Sequence, residues 1–248
     1  MRIIHWAGDS TVAVNKYMTW PQTGIAQAFD RYTAEDVLID SHAINGRSTK
    51  SFVDQGRLAK IEACLSPGDF LFIQFGHNDE KEEDPDRYTD PDTSFVEHLK
   101  LFHETAVRHG AHPLFITPVE RRLFERTGGL VPSAHTPYAN AMIRTAGELQ
   151  VPVVDLCRIS RSFLNAEGDA ATAQYYMNTA PGEYRRSPEG QTDNTHLKYE
   201  GAMLYAGMIA RAVRTFPEPY ASLIIGDLDG DTADFFPVNR INEGFTDG

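Results

Sequence analysis

The chain has 248 residues, a formal net charge of −12 and a pI near 5.1. So acidic a protein argues against a nucleic-acid surface and against docking on anionic lipid. Apolar residues make up 41% and aromatics 10%, enough for one large core, yet no apolar run approaches the roughly 18 residues of a membrane span. The two cysteines, Cys64 and Cys157, build no disulfide framework and no Cys-x-x-Cys; their apolar neighbours predict buried free thiols. The first strand begins without a charged-then-apolar leader, so a cytoplasmic location is expected.

Short apolar runs alternate with amphipathic stretches, the pattern of a parallel sheet covered by helices. A strand over 2–7 runs into Gly8-Asp9-Ser10-Thr11, and a helix follows over 24–32. A second strand, 36–40, leads to Asn45-Gly46-Arg47-Ser48 and a helix over 52–64. The third strand, 69–75, is almost continuously apolar and exits through Gly76-His77-Asn78-Asp79. An acidic loop with Pro85 and Pro91 spans 80–93. The next helix, 94–109, takes Ser94 as its N-cap, with Glu97 completing a capping box. A strand over 113–117 precedes Arg121-Arg122, and a helix over 137–149 precedes the last strand, 151–155. Residues 165–192 carry little periodicity and read as a long excursion before Asp193-Asn194-Thr195-His196 and a final helix over 199–215. Loops of such length are uncommon unless functional, and both open at strand carboxyl ends, where α/β sheets place ligands.

Three of the polar motifs follow strands directly, which holds their side chains on rigid backbone. Ser10 is the candidate nucleophile, His196 the candidate base, and Asp193 the carboxylate that orients the imidazole. The Asn78 side chain and the backbone N–H groups of Ser10 and Gly46 are candidate oxyanion donors. Each motif alone has a plain alternative: Ser10 or Thr11 as a cap, Asp193 or Asn194 as an N-cap, Asn45-Gly46 as an ordinary turn. Arg121 and Arg122 offer forks for an acidic sugar, as does the exposed-looking pair Arg185-Arg186, for which a solvated surface is the simpler reading. Trp20, Tyr88 and Tyr138 could stack on sugar rings or pack.

Other signals carry less. His98, His103, His109 and His112 lack the His-Glu-x-x-His helix spacing of a zinc site. Asp227-Leu228-Asp229-Gly230-Asp231 puts glycine at the fourth position of a calcium loop and Val238 at the twelfth, where glutamate belongs. Neither a phosphate-cradling glycine loop nor a Gly-x-Ser-x-Gly elbow is present.

Taken together, Gly8-Asp9-Ser10, Gly46, Gly76-x-Asn78-Asp79 and Asp193-x-x-His196 resemble the SGNH (GDSL-like) hydrolases. Thr11, Asn45 to Ser48, Phe75 to Asp79, Arg87-Tyr88-Thr89, Thr117 to Arg122 and Asp193 to His196 look more narrowly like the rhamnogalacturonan acetylesterase branch. The resemblance implies an α/β, three-layer flavodoxin-like fold with a central parallel sheet of about five strands. It also implies ester hydrolysis without metal or cofactor, an O-acetylated pectin-type sugar as partner, and His77, Arg121, Arg122 and Tyr88 as substrate contacts. The hydrolase domain is expected over 1–216, with a tail over 217–248 that packs on it; Leu223-Ile224-Ile225 could instead cover a neighbouring chain. Two other functions use or forgo the same residues: an esterase or thioesterase for lipid-like acyl chains, and a carbohydrate-binding protein with an inactive site.

Overall fold

The computed structural model describes residues 1–16, 19–185, 187–226 and 228. Five strands form one sheet: β1 (Arg2–Gly8), β2 (Val37–Ser41), β3 (Phe70–Gln74), β4 (His112–Ile116) and β5 (Val153–Val154). Their order is β2-β1-β3-β4-β5 and every pairing is parallel. That is the doubly wound order in which the crevice opens beyond the carboxyl ends of β1 and β3, the strands flanking the topological switch.

Alternation along the strands builds two cores. From β3, Phe70 and Phe72 join one apolar cluster with Trp6, Phe29 and Met208; Leu71 and Ile73 join the other with Phe52, Phe102 and Met142. All five residues of β3 are buried, as expected of a central strand covered on both faces. Helices α1 (Ile25–Phe29), α6 (Leu156–Thr172) and α7 (Tyr199–Arg214) close the first face. Helices α2 (Thr49–Asp54), α3 (Arg57–Glu62), α4 (Ser94–Arg108) and α5 (Thr136–Leu149) close the second. Trp6, Phe29 and Phe72 meet edge to face at 5.0–6.1 Å, and each buried ring of this kind contributes roughly 1.5–3 kcal/mol. The parallel sheet flanked by helices expected from the alternating pattern, and the three-layer α/β fold implied by the resemblance, are observed.

Several local expectations change. The stretch read as one helix over 52–64 is two, α2 and α3, divided at Gly56 in the left-handed region. Helix α2 starts earlier because Ser48 caps it: its Oγ accepts the Ser51 N–H while Ser51 Oγ accepts the Ser48 N–H. At α4 the cap residue is Thr93 rather than Ser94; the Ser94 hydroxyl instead accepts the Asp90 N–H at 2.9 Å, so no capping box forms there. Strand β5 is only two residues long, since Val151 N–H returns to Ala146 and Asp155 turns to cap the next helix. That helix, α6, extends into the excursion read over 165–192. Its polar second half and the non-helical Gly168 within it hide the period.

Cys157 is buried but Cys64 is exposed, because the chain leaves α3 at the surface. Leu223 and Ile224 pack into the first core, while Ile225 is half-buried. The aspartate-rich loop beginning at Asp227, and Arg186, lie outside the described residues apart from Leu228. No described helix is long and apolar enough to cross a membrane.

Candidate active site

Residue Ser10 follows β1 in a tight turn in which the Val12 and Ala13 amides both return to Asp9 O. The Asp9 carboxylate braces the turn from inside: Oδ1 accepts from the Thr11 N–H and hydroxyl, each at 2.9 Å. Burial alone would raise the Asp9 pKa, but the adjacent His77 and the Thr11 donors hold it below the usual carboxylate range. Asp9 therefore stays charged beneath the serine.

On the far side of the crevice the turn 193–196 precedes α7. His196 O accepts from Met177 N–H and Leu197 O from Thr23 N–H, which pins both edges of the turn. Within it Asp193 Oδ1 accepts the Thr195 and His196 amides at 2.8 and 3.0 Å. Its other oxygen, Oδ2, lies 2.7 Å from His196 Nδ1, and His196 Nε2 lies 2.9 Å from Ser10 Oγ. Residues separated by 186 positions thus form a continuous relay. Although half-burial opposes it, the donors from His196 and Thr195 keep Asp193 below the usual carboxylate range, so it is ionised wherever the imidazole needs orienting.

Gly46 sits on the loop after β2 with φ +76°, a conformation that a side chain disfavours. Among the described residues, neither its amide nor that of Ser10 has an intramolecular acceptor. The Asn78 amide reaches the same loop, donating to Arg47 O at 3.1 Å, while Arg87 Nη1 donates to Asn78 Oδ1 at 3.3 Å. Arg87 thereby fixes the flip of the amide, leaving its NH₂ toward the crevice loops.

The four proposed substrate contacts divide. Tyr88 is half-exposed on the acidic loop. His77 is buried, its ring 4.2 Å from His135 and Nδ1 3.5 Å from Asp9 Oδ2; burial, then His135, push its pKa down to about 4. It is a neutral buried ring and presents nothing to an open cleft. Arg121 pairs with Glu80 and donates to His77 O. Glu80 Oε2 in turn lies 2.7 Å from His135 Nδ1. Asp9, His77, His135, Glu80 and Arg121 therefore form one polar ladder under Ser10.

Arg122 is buried and its fork is used inside the protein. It donates to Asn194 Oδ1 at 2.7 Å, Thr172 Oγ1 at 3.1 Å and Asp169 O at 2.6 Å, and pairs with the Asp169 carboxylate. It ties the Asp193–His196 turn to the end of α6. Tyr138 likewise packs internally, its hydroxyl donating to Asp79 O or Thr89 O. Trp20, in contrast, is 54% exposed and borders a cleft of about 320 Å³ that reaches His196. A second cleft, of about 460 Å³, begins at Gly46 and is lined by Arg47, Lys50, Asp84 and Arg87. Glu80 and His135 carry no role in the sequence pattern, and Asn194 only that of an alternative N-cap; the proximity of Glu80 to the Gly76–Asp79 motif is the available hint.

A hydroxyl, an imidazole and a carboxylate in series at the switch point of a parallel sheet are the equipment of acyl transfer. The family model described as GDSL-like Lipase/Acylhydrolase matches residues 4–206. The chain is also 40% identical over 215 residues to the rhamnogalacturonan acetylesterase RhgT of Bacillus subtilis, covering 86% of this chain and 90% of that protein. It is 36% identical over 222 residues to the probable rhamnogalacturonan acetylesterase YesY of the same organism, covering 90% and 97%. Among solved structures, protein YxiM of Bacillus subtilis superposes with a TM-score of 0.69 at 22% identity, over 86% of this chain and 56% of that one. The chain belongs to the GDSL-like lipase/acylhydrolase family, and it is a carboxylic ester hydrolase.

Proposed function

We propose that the protein removes O-acetyl groups from a carbohydrate, with rhamnogalacturonan-type pectin fragments as the substrate class. The observation that carries the reading is the Ser10–His196–Asp193 relay, with contacts of 2.9 and 2.7 Å, opening on clefts lined by charged and polar groups. The names of the relatives supply the sugar; of the cations beside Gly46, Lys50 and Arg87 already pair with Asp54 and Asp84, so the uronate rests on those names.

Chemistry follows from the atoms. His196 Nε2 accepts the Ser10 proton as Oγ attacks the acetyl carbonyl carbon. The developing oxyanion is held by the Ser10 and Gly46 amides and by Asn78 Nδ2. His196 then returns the proton to the departing sugar oxygen, leaving an acetyl ester on Ser10. Water gives a proton to the same imidazole as it attacks that ester, and the imidazolium passes the proton to Ser10 Oγ as the acyl–oxygen bond breaks and acetate leaves.

Hydrolysis of acetylated rhamnogalacturonan, acetylated xylan, p-nitrophenyl acetate and a long-chain p-nitrophenyl ester tests the assignment. The reading predicts the highest kcat/KM on the pectin fragments. A preference for long-chain acyl esters would replace it with the lipid reading, and no turnover of any ester would remove it.

A further inference from the structure

We propose that His5 Nδ1, Asp40 Oδ2 and His42 Nε2 form a binding site for one zinc-class divalent cation, at the β1–β2 edge of the sheet. The site shares no residue with the Ser10 relay and does not depend on the substrate reading. Its ligands come from rigid positions. His5 and Asp40 are register partners across the parallel pair, and His42, just past β2, is held by its N–H to Trp6 O at 3.0 Å. The three atoms converge: His5 Nδ1 is 3.3 Å from His42 Nε2 and 3.4 Å from Asp40 Oδ2, and the last two are 3.0 Å apart. A point just off their plane lies about 2.0–2.2 Å from all three, the length of Zn–N and Zn–O bonds.

A second observation sets the His5 tautomer. Its Nε2 is buried, has no hydrogen-bond partner among the described residues and faces Asp69 Oδ2 at 3.5 Å. That carboxylate is fixed by the Ile3 and Ser66 amides at 3.2 and 3.0 Å. A proton on Nε2 meets the carboxylate; a bare Nε2 would set lone pair against lone pair. The favourable tautomer therefore aims an unprotonated Nδ1 at His42 and Asp40, in the carboxylate–histidine–metal arrangement. Two imidazoles and one carboxylate suit zinc over magnesium or calcium, which prefer all-oxygen shells. The half-exposed Asp40 side chain marks the entry route and leaves room for water as fourth ligand. A cation here would staple the edge strand β2 to β1 and anchor the start of the loop that carries Gly46.

The test is zinc and cobalt binding to chelator-stripped full-length protein, followed by calorimetry, elemental analysis and cobalt absorption. The expected result is about one metal per chain with the visible spectrum of four-coordinate cobalt, and a zinc-dependent rise in melting temperature that magnesium and calcium do not cause. His42→Ala and Asp40→Asn should each weaken zinc binding by roughly 100-fold or more, and Asp69→Asn by about 10–100-fold. Metal-free melting curves of the variants serve as the folding control. Absence of saturable zinc uptake, or uptake by His42→Ala and Asp40→Asn equal to wild type, would overturn the proposal.

Discussion

In the proposed mechanism a single proton transfer across the Ser10–His196 contact of 2.9 Å decides activity, and the residues around it differ in what their loss removes. Ser10→Ala and His196→Ala should lower kcat by about 10⁴-fold or more with native far-UV circular dichroism, since each deletes a reacting atom. Asp193→Asn keeps the shape but offers a donor where His196 Nδ1 needs an acceptor, so a loss of about 10⁴ in kcat is expected. Asn78→Ala removes one proposed oxyanion donor and should cost roughly 10²–10³ in kcat with little change in KM; a KM effect alone would reassign the amide to ground-state binding. These residues are legible from the sequence because each sits in a short motif directly after a strand or before a helix. Their supports are not. Nothing in the chain order shows that His135 packs against His77 or that Glu80 sits between His135 and Arg121. Those contacts join separate loops and exist only after folding.

Among the elements, helix α6 shows where pattern reading fails and what the failure conceals. The Asp155 side chain caps it by accepting the Arg158 N–H, and Leu156 and Leu164 enter the first core. Leu164→Ala should therefore destabilise the fold by about 2–5 kcal/mol in urea titrations. Gly168 and the polar run beyond it interrupt the apolar period, so the sequence reads as loop. Yet this region supplies Asp169 and Thr172, which hold Arg122 against Asn194. The strand-end position of Arg122 suggests a substrate contact, whereas the guanidinium is consumed in steadying the Asp193–His196 turn. Arg122→Met should lower kcat more than it raises KM, and cost about 1–3 kcal/mol through unpaired buried acceptors. A pure KM effect at unchanged stability would restore the substrate role. Strand positions, by comparison, are legible to within one or two residues over most of the sheet, because near-continuous apolar runs of five or six residues admit few alternatives.

For the molecule as a whole, the polar groups sealed between sheet and helices make stability depend on pH. Burial pushes the Asp79 pKa from the ordinary 3.8 up to about 7, even though one oxygen accepts from Thr49 and Thr89. The other oxygen is buried without a hydrogen-bond partner among the described residues. A folded-state pKa above the unfolded one means that the stability linked to this group is fully present below about 3.8 and is lost as pH rises through about 7. Asp79→Asn mimics the protonated carboxyl. It should match wild type in denaturant titrations near pH 4 and exceed it near pH 8; a variant advantage that shrinks with rising pH would contradict this sign. The doubly wound sheet also explains why residues 10 and 196 meet at all: β1 occupies the switch point, and α7 returns across the same face. The most direct measurement is mass mapping of protein treated with an organofluorophosphonate ester, beside acetate release by the Ser10→Ala variant. The account predicts one adduct, on Ser10, absent from Ser10→Ala and strongly slowed in His196→Ala, with acetate release lost. An adduct at another residue, or undiminished release by Ser10→Ala, would contradict it.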